Sequence, residues 1–152
     1  IPNSRTLYHT SDGGKTWKEQ THFPILQDIT FLNARTGWAL SGNNTTEVYR
    51  SDDSGDSWLK IATFQKYPPL QKLVALSPDT LLACGSFLAI SIDGGYTWNE
   101  TNESVNNLAK ASALQYWKCG IDTGSQTISI HSTDNGGILS LKSFPVNRKT
   151  IR

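Results

Sequence analysis

The 152-residue sequence lacks methionine, contains only two cysteines and has no apolar run long enough to span a membrane. Its 14 Lys and Arg residues nearly balance its 13 Asp and Glu residues, so the formal net charge is +1. That balance gives no general attraction to nucleic acid. The sequence therefore argues against a helical membrane protein, a disulfide-rich scaffold and an electrostatic nucleic-acid binder, and its 37% hydrophobic content fits one globular domain.

Four segments of the chain share one pattern at a regular spacing. They read TSDGGKTW (residues 10–17), SDDSGDSW (51–58), SIDGGYTW (91–98) and the degenerate STDNGGIL (132–139), and we call them the first to fourth boxes. Their aspartates, Asp12, Asp53, Asp93 and Asp134, are separated by 41, 40 and 41 residues. A repeat of about 40 residues is typical of propellers, solenoids and related arrays.

The segments between the boxes predict four short strands in each repeat. Three apolar runs in LQDITFLNARTGWALSGNNTTEVYRS lead to the second box, and SWLKIATF follows its turn. Four strands in about 40 residues are typical of a β-propeller blade, whose sheet buries both faces against its neighbours. The sequence therefore predicts an all-β propeller with half a blade at 1–22 and full blades at 23–64, 65–104 and 105–146. Residues 106–115 also fit a short helix.

The boxes resemble a known repeat. The pattern Ser/Thr-x-Asp-x-Gly-x-Thr/Ser-Trp is similar to the Asp-box, or bacterial neuraminidase repeat, of sialidases, some glucanases and sortilin-type receptors. ITFLNARTGWALSG followed by VYRSDDSGDSW resembles the repeat of the photosystem II stability and assembly factor family and its non-photosynthetic bacterial relatives. This resemblance implies a propeller fold but no single activity, because the repeat occurs in proteins with different functions.

The resemblance implies a structural role for each box, as the turn between the third and outermost strands of a blade. In this role the aspartates fix the turn and the tryptophans pack on the blade edge. The expected structural residues are Asp12, Gly14, Trp17, Asp53, Gly55, Trp58, Asp93, Gly95, Trp98, Asp134 and Gly136. A calcium loop is the alternative for residues 52–56, although the acidic twelfth ligand of an EF-hand does not follow.

The sequence gives little support to a metal, a cofactor or an enzyme. Cys84 and Cys119 occupy equivalent second-strand positions of successive blades, where a disulfide would exceed the roughly 7 Å Cα limit. The three histidines are too widely spaced for a zinc pattern. No arginine has the sequence context of the sialidase triad, and the only carboxylate pair that fits a glucanase is Asp28 with Asp122. We predict no metal, no cofactor and no catalysis.

The loops that enter the innermost strands and join the second to the third strands should form one binding face. They cover residues 21–28, 42–47, 64–71, 102–107 and 122–126. Aromatic side chains beside prolines give rigid amphipathic contacts, although Phe23 and Tyr67 fit a packing role equally well. The candidate binding residues are His22, Phe23, Asn43, Asn44, Tyr67 and Asp122.

The predicted function is a non-catalytic module for protein interaction or complex assembly. Relatives of this repeat imply an extracytoplasmic location that is secreted, periplasmic or lumenal. A carbohydrate-active propeller, either sialidase- or glucanase-like or glycan-binding, is the alternative. Because the chain lacks methionine and supplies three and a half blades, we expect either a piece of a larger parent or a homo-oligomer that completes the ring.

Overall fold

The computed structural model describes residues 6–20, 25–42, 44–65, 69–101, 105, 107–110, 116–122, 127–132 and 140–145, with side chains described as far as residue 110. Every regular element in these ranges is a β-strand. The prediction of an all-β propeller built from four-stranded sheets is confirmed. The strand Asn107–Lys110 shows that the helical alternative is wrong for those four residues.

The strands form four antiparallel sheets that follow chain order. Sheet I pairs β1 (Leu7–His9) with β2 (Lys18–Gln20). Sheet II contains β3 (Leu26–Phe31), β4 (Gly37–Ser41), β5 (Thr46–Ser51) and β6 (Leu59–Phe64). Sheet III contains β7 (Lys72–Ala75), β8 (Leu81–Cys84), β9 (Leu88–Ser91) and β10 (Asn99–Glu100). Sheet IV contains β11 (Asn107–Lys110), β12 (Tyr116–Asp122), β13 (Thr127–Ser132) and β14 (Ser140–Pro145).

Sheet III buries both of its faces, which explains why its strands are apolar at successive positions. Side chains alternate between the faces of a strand, so Leu73 and Ala75 join one cluster while Val74 joins another. The first cluster combines Leu73, Ala75, Leu81, Ala83 and Ala89 with Trp38, Leu40, Val48 and Phe64 of sheet II. The second combines Val74, Leu82, Cys84 and Leu88 with Val105 and Leu108, which lead into sheet IV.

Polar side chains connect the first strands of neighbouring sheets. Asp28 Oδ2 accepts a hydrogen bond from the Leu73 backbone N–H at 2.9 Å, which ties β3 to β7. Lys110 Nζ donates to the Ala75 carbonyl oxygen at 2.7 Å, which ties β11 to β7. These bonds join adjacent sheets along the strands that pack against one another.

The meander places two kinds of connection at opposite ends of the sheets. At one end, which we call the box end, lie the boxes and the turns that join β3 to β4 and β7 to β8. At the other, which we call the loop end, lie the connections from β2 to β3, β4 to β5, β6 to β7, β8 to β9, β10 to β11 and β12 to β13. The loops predicted to form the binding face all belong to the loop end.

Candidate binding surfaces

The second box is a closed ring of hydrogen bonds around Asp53. Ser51 Oγ donates to Asp53 Oδ1 at 2.8 Å and accepts from the Gly55 N–H at 2.9 Å. Ser57 donates its N–H to Asp53 Oδ1 at 2.9 Å and its hydroxyl to Asp53 Oδ2 at 2.5 Å. The Trp58 indole N–H then donates to the Gly55 carbonyl oxygen at 3.1 Å. The side-chain polar groups of Ser51, Asp53, Ser57 and Trp58 are therefore all used within the turn.

The first and third boxes repeat this arrangement residue by residue. In the first box the donor and acceptor groups belong to Thr10, Asp12, Gly14, Thr16 and Trp17. In the third they belong to Ser91, Asp93, Gly95, Thr97 and Trp98. The fourth box, with Asp134 and Gly136, lies outside the described residues. Three boxes therefore share one internal structure, which identifies the aspartates as acceptors for their own turn.

These bonds lower the pKa of each box aspartate. The pKa of Asp12, Asp53 and Asp93 falls to about 2, chiefly through the hydroxyl donor four residues ahead and then through the N–H of that residue. Donors that stabilise the ionised form make these carboxylates weak proton acceptors at neutral pH. Their chemistry favours a fixed turn over general-base catalysis.

Backbone conformation at the box tip separates the second box from the others. The two tip residues have positive φ in all three, with values of 73° and 90° at Gly13 and Gly14 and of 78° and 97° at Gly94 and Gly95. In the second box Ser54 takes the first position at 68°. A side chain is unfavourable in this region, so Ser54 is a strained exception within the repeat.

The surroundings of the boxes differ although their hydrogen bonds do not. Trp98 meets Phe64 of the preceding sheet edge to face, with 5.5 Å between ring centroids, and packs on the first core cluster. Trp58 meets Phe31 within its own sheet at 5.9 Å. Trp17 is 59% exposed, and its packing on the blade edge stays a prediction. The structure gives Trp17 its indole hydrogen bond but little apolar cover.

Most of the predicted binding residues belong to loops outside the described part of the chain. His22, Phe23, Asn43 and Tyr67 are in this group, and their role stays a prediction. Asn44 is described and exposed at the connection from β4 to β5. Asp122 is the last residue of β12, opposite Thr127, and its side chain lies outside the description.

The described parts of the loop end are fixed by hydrogen bonds to neighbouring strands. The Gly42 N–H donates to the Ile25 carbonyl oxygen at 2.8 Å, which ties the start of β3 to the end of β4. The Leu70 N–H donates to the buried Thr46 Oγ1 at 2.8 Å, and Leu70 itself is fully buried. The connection that carries Tyr67 therefore re-enters the core just after its two prolines.

Asp28 has a structural partner, which bears on its nomination as one of a pair of catalytic acids. One of its oxygens accepts the Leu73 N–H, and the other lies 3.7 Å from Lys72 Nζ. A carboxylate occupied in joining two sheets is poorly suited to protonate a glycosidic oxygen. The pairing of Asp28 with Asp122 stays a prediction, because the Asp122 side chain lies outside the described residues.

The structure also contains a groove that sequence reasoning missed. It has a volume of about 270 Å³ and lies between sheet I and sheet II, lined mainly by Leu7, Trp17, Ile29, Phe31 and Trp58. Phe31 is 41% exposed there, which is unusual for an aromatic residue in a strand next to the core. The sequence feature that could have indicated this groove is that only two predicted strands flank the first box.

The described residues contain no group of three or more His, Cys, Asp or Glu side chains placed to hold a metal ion. No helix in that part of the chain is long and apolar enough to cross a membrane.

Comparisons with known proteins show the fold. No family model matches the sequence, and no curated protein matches it. The solved structure "YCF48 bound to D1 peptide" is similar with a TM-score of 0.60 and 20% identity, covering 92% of this chain and 48% of that one. YCF48 from Cyanidioschyzon merolae is similar with a TM-score of 0.54 and 13% identity, covering 91% of this chain and 52% of that one.

The chain therefore spans about half the length of the propellers that it matches. YCF48 is a photosystem II assembly factor with a β-propeller fold, so the resemblance stated from the repeat is confirmed at the level of the fold.

Proposed function

We propose that this chain is a non-catalytic module that binds a protein partner through its loop end, outside the cytosol. The observation that carries this proposal is that a propeller of the same fold, YCF48, has been solved with a bound D1 peptide. Fold alone does not transfer a partner, so the kind of partner is inferred and its identity is left open.

The state of the carboxylates supports a module without catalysis. Asp12, Asp53 and Asp93 each accept hydrogen bonds within their own turns, and Asp28 accepts a backbone N–H from the next sheet. A glycosidase needs one carboxyl group held as an acid and another facing substrate or water. These four aspartates therefore all accept hydrogen bonds that stabilise the fold.

The structure of the loop end supports it as the contact face. The described ends of three connections are anchored, as Gly42 bonds to Ile25 and Leu70 to Thr46. Variable loops on a rigid scaffold are the usual position of recognition residues. Phe23 and Tyr67, each beside proline, are the aromatic residues that this end offers to a partner.

Site-specific photo-crosslinking in the source cells tests the proposal. A photoreactive amino acid at position 23 or 67 should capture one protein from the extracytoplasmic fraction, and mass spectrometry should identify it. The matched control is position 96, because Tyr96 is an exposed aromatic residue at the opposite, box end. Phe23→Ala should abolish capture from position 67, and Tyr67→Ala should abolish capture from position 23, with no change in melting temperature. Tyr96→Ala should change neither capture from these positions nor the melting temperature.

Two results would contradict this function. Capture from position 96 but not from 23 or 67 would move the contact away from the loop end. Hydrolysis of a glycoside by the purified chain, lost on Asp28→Asn, would make the carbohydrate-active alternative correct.

A further inference from the structure

We propose that sheet IV binds a small oxyanion, either a carboxylate or a phosphate, beside the cross-strand pair formed by Lys118 and His131. The pair lies within strands β12 and β13 and not in the connections of the loop end. The proposal therefore goes beyond the proposed function and does not rest on it.

The strand register places the two residues side by side. Lys118 of β12 is the Cα partner of His131 in β13, and on its other side it is the partner of Leu108 in β11. Gly120, two residues further along β12, is the partner of Ser129. Partnered residues of antiparallel strands lie on the same face, with Cβ atoms about 4.5–5.5 Å apart. These five residues therefore share one face of sheet IV, which we call the Leu108 face.

The contacts of β11 show that the Leu108 face is turned toward sheet III. Leu108 packs in the second core cluster with Val74 and Leu82 of sheet III. Lys110, two residues along β11 and therefore on the same face, donates from Nζ to the Ala75 carbonyl oxygen. The row that continues from Leu108 into β12 and β13 thus lies on the face that sheet IV turns toward sheet III.

Sheet III shows which residues packing alone requires in such a row. Its face toward sheet II carries the partnered residues Leu73, Ala83 and Ala89, all of which are buried in the first core cluster. This row holds the same place as the row of Leu108, because each begins with a buried leucine that meets the preceding sheet. A lysine and a histidine stand in sheet IV where two alanines stand in sheet III. Packing does not require that chemistry, whereas a charged ligand does.

The described strands of sheets III and IV supply no acidic partner for Lys118. The only acid in the strands of sheet III is Glu100, which is partnered with Ala89 on the face toward sheet II. The only acid in the strands of sheet IV is Asp122, four residues along β12 from Lys118, or about 13 Å at 3.3 Å per residue. A lysine on a face between sheets is unfavourable without a counter-charge, so an anion from outside these strands is needed.

The donors of the site fit an oxyanion. Ammonium and hydroxyl groups donate hydrogen bonds, an imidazole donates one from a ring nitrogen, and a carboxylate or a phosphate accepts several at once. Lys118, His131 and Ser129 occupy three corners of a square of partnered positions, and Gly120, without a side chain, leaves the fourth corner open. A small anion can therefore meet three donors without displacing a side chain.

An anion titration of the full labelled chain tests the proposal. Sodium phosphate and sodium acetate are added in separate experiments, with sodium chloride at matched ionic strength as the control. We expect saturable shifts of the His131 ring signals and of the Lys118 and Gly120 amide signals with an oxyanion but not with chloride. Tighter binding of phosphate would identify a tetrahedral anion as the ligand, and binding of acetate at least as tight would identify a carboxylate.

Variants of the chain locate the site. Lys118→Met should weaken binding at least about tenfold, because it removes the charged donor. Lys142→Met is the matched control, since Lys142 is partnered with Ile130 on the opposite face of the same sheet, and it should leave binding unchanged. Lys118→Arg keeps the charge and the donors and should retain most of the binding, which preserves the test if Lys118→Met disturbs the fold.

Three outcomes would overturn the proposal. The first is the absence of a saturable shift with either oxyanion, which is expected if an acid of the chain itself neutralises Lys118. The second is an equal response to chloride, and the third is an equal loss of binding in Lys118→Met and Lys142→Met, which would show a general attraction to positive charge. The proposed function fails separately, through the crosslinks at positions 23 and 67, because neither residue belongs to sheet IV.

Discussion

The first and third boxes have the same internal bonds in different environments. In both, a hydroxyl, a carboxylate and an indole close the same turn, with the aspartate to N–H bond at 2.9 Å in each. Trp98 is packed on Phe64 and the core, whereas Trp17 is mostly exposed. The turn is therefore a local structure, while its contribution to the stability of the propeller depends on the neighbouring sheet.

Replacing the two tryptophans should give the largest difference between these boxes. Trp98→Ala should lower the free energy of unfolding by about 2–4 kcal/mol, because it opens a cavity beside Phe64. Trp17→Ala should cost less than about 1 kcal/mol, since little apolar area is lost. Urea denaturation of both variants measures the difference, and equal losses would show that the indole acts through its turn alone.

Glycines at the box tips should give the next largest difference. Gly13→Ala should cost about 1 kcal/mol, the conformational penalty of positive φ, because no other atom lies within 4 Å of the added methyl. Gly94→Ala should cost about 2 kcal/mol, since its methyl would lie 2.9 Å from Arg50 Nη1 and 3.3 Å from the Pro78 carbonyl oxygen. The same denaturation experiment applies, and a smaller loss at Gly94 than at Gly13 would contradict the packing argument.

Acid should act on the boxes alike, whatever their surroundings. The folded pKa of about 2 lies below the ordinary 3.8, so each aspartate stabilises the fold fully above pH 3.8, and that contribution is lost as pH falls through about 2. Carboxyl ¹³C shifts should titrate together for Asp12 and Asp93. Asp93→Asn should reduce the loss of stability between pH 4 and 2, as followed by melting temperature, and titration of Asp12 near 3.8 would show that its turn opens in solution.

Relief of strain in the second box should give the smallest effect. Ser54→Gly restores the residue found at this position in the other two boxes and should raise stability by about 0.5 kcal/mol, the left-handed penalty less the added chain entropy of glycine. Ser54→Ala is the matched control, because alanine keeps the penalty and should bring no gain. A gain from both variants would mean that the hydroxyl, and not the backbone, is unfavourable.

The repeat allowed much of the fold to be predicted, because a propeller blade is held by neighbours in sequence. Short apolar runs specify the strands, and glycine with Asp-Thr or Asp-Ser pairs specifies the turns, as at Gly14, Asp12 and Thr16. The loop end was predictable for the same reason, since a meander sends alternate connections to the same edge. Its binding residues remain predictions.

The sequence by itself determined the ring of hydrogen bonds around each box aspartate, since those bonds join residues at most four apart. Only the tertiary structure decided which box is buried, which aspartate joins two sheets and where the groove lies. The bond from Trp38 to Gly94 spans 56 residues and that from Leu73 to Asp28 spans 45, so both depend on how successive sheets stack. The way that sheets stack depends on contacts between side chains of different repeats. The sequence of a single repeat does not contain these contacts.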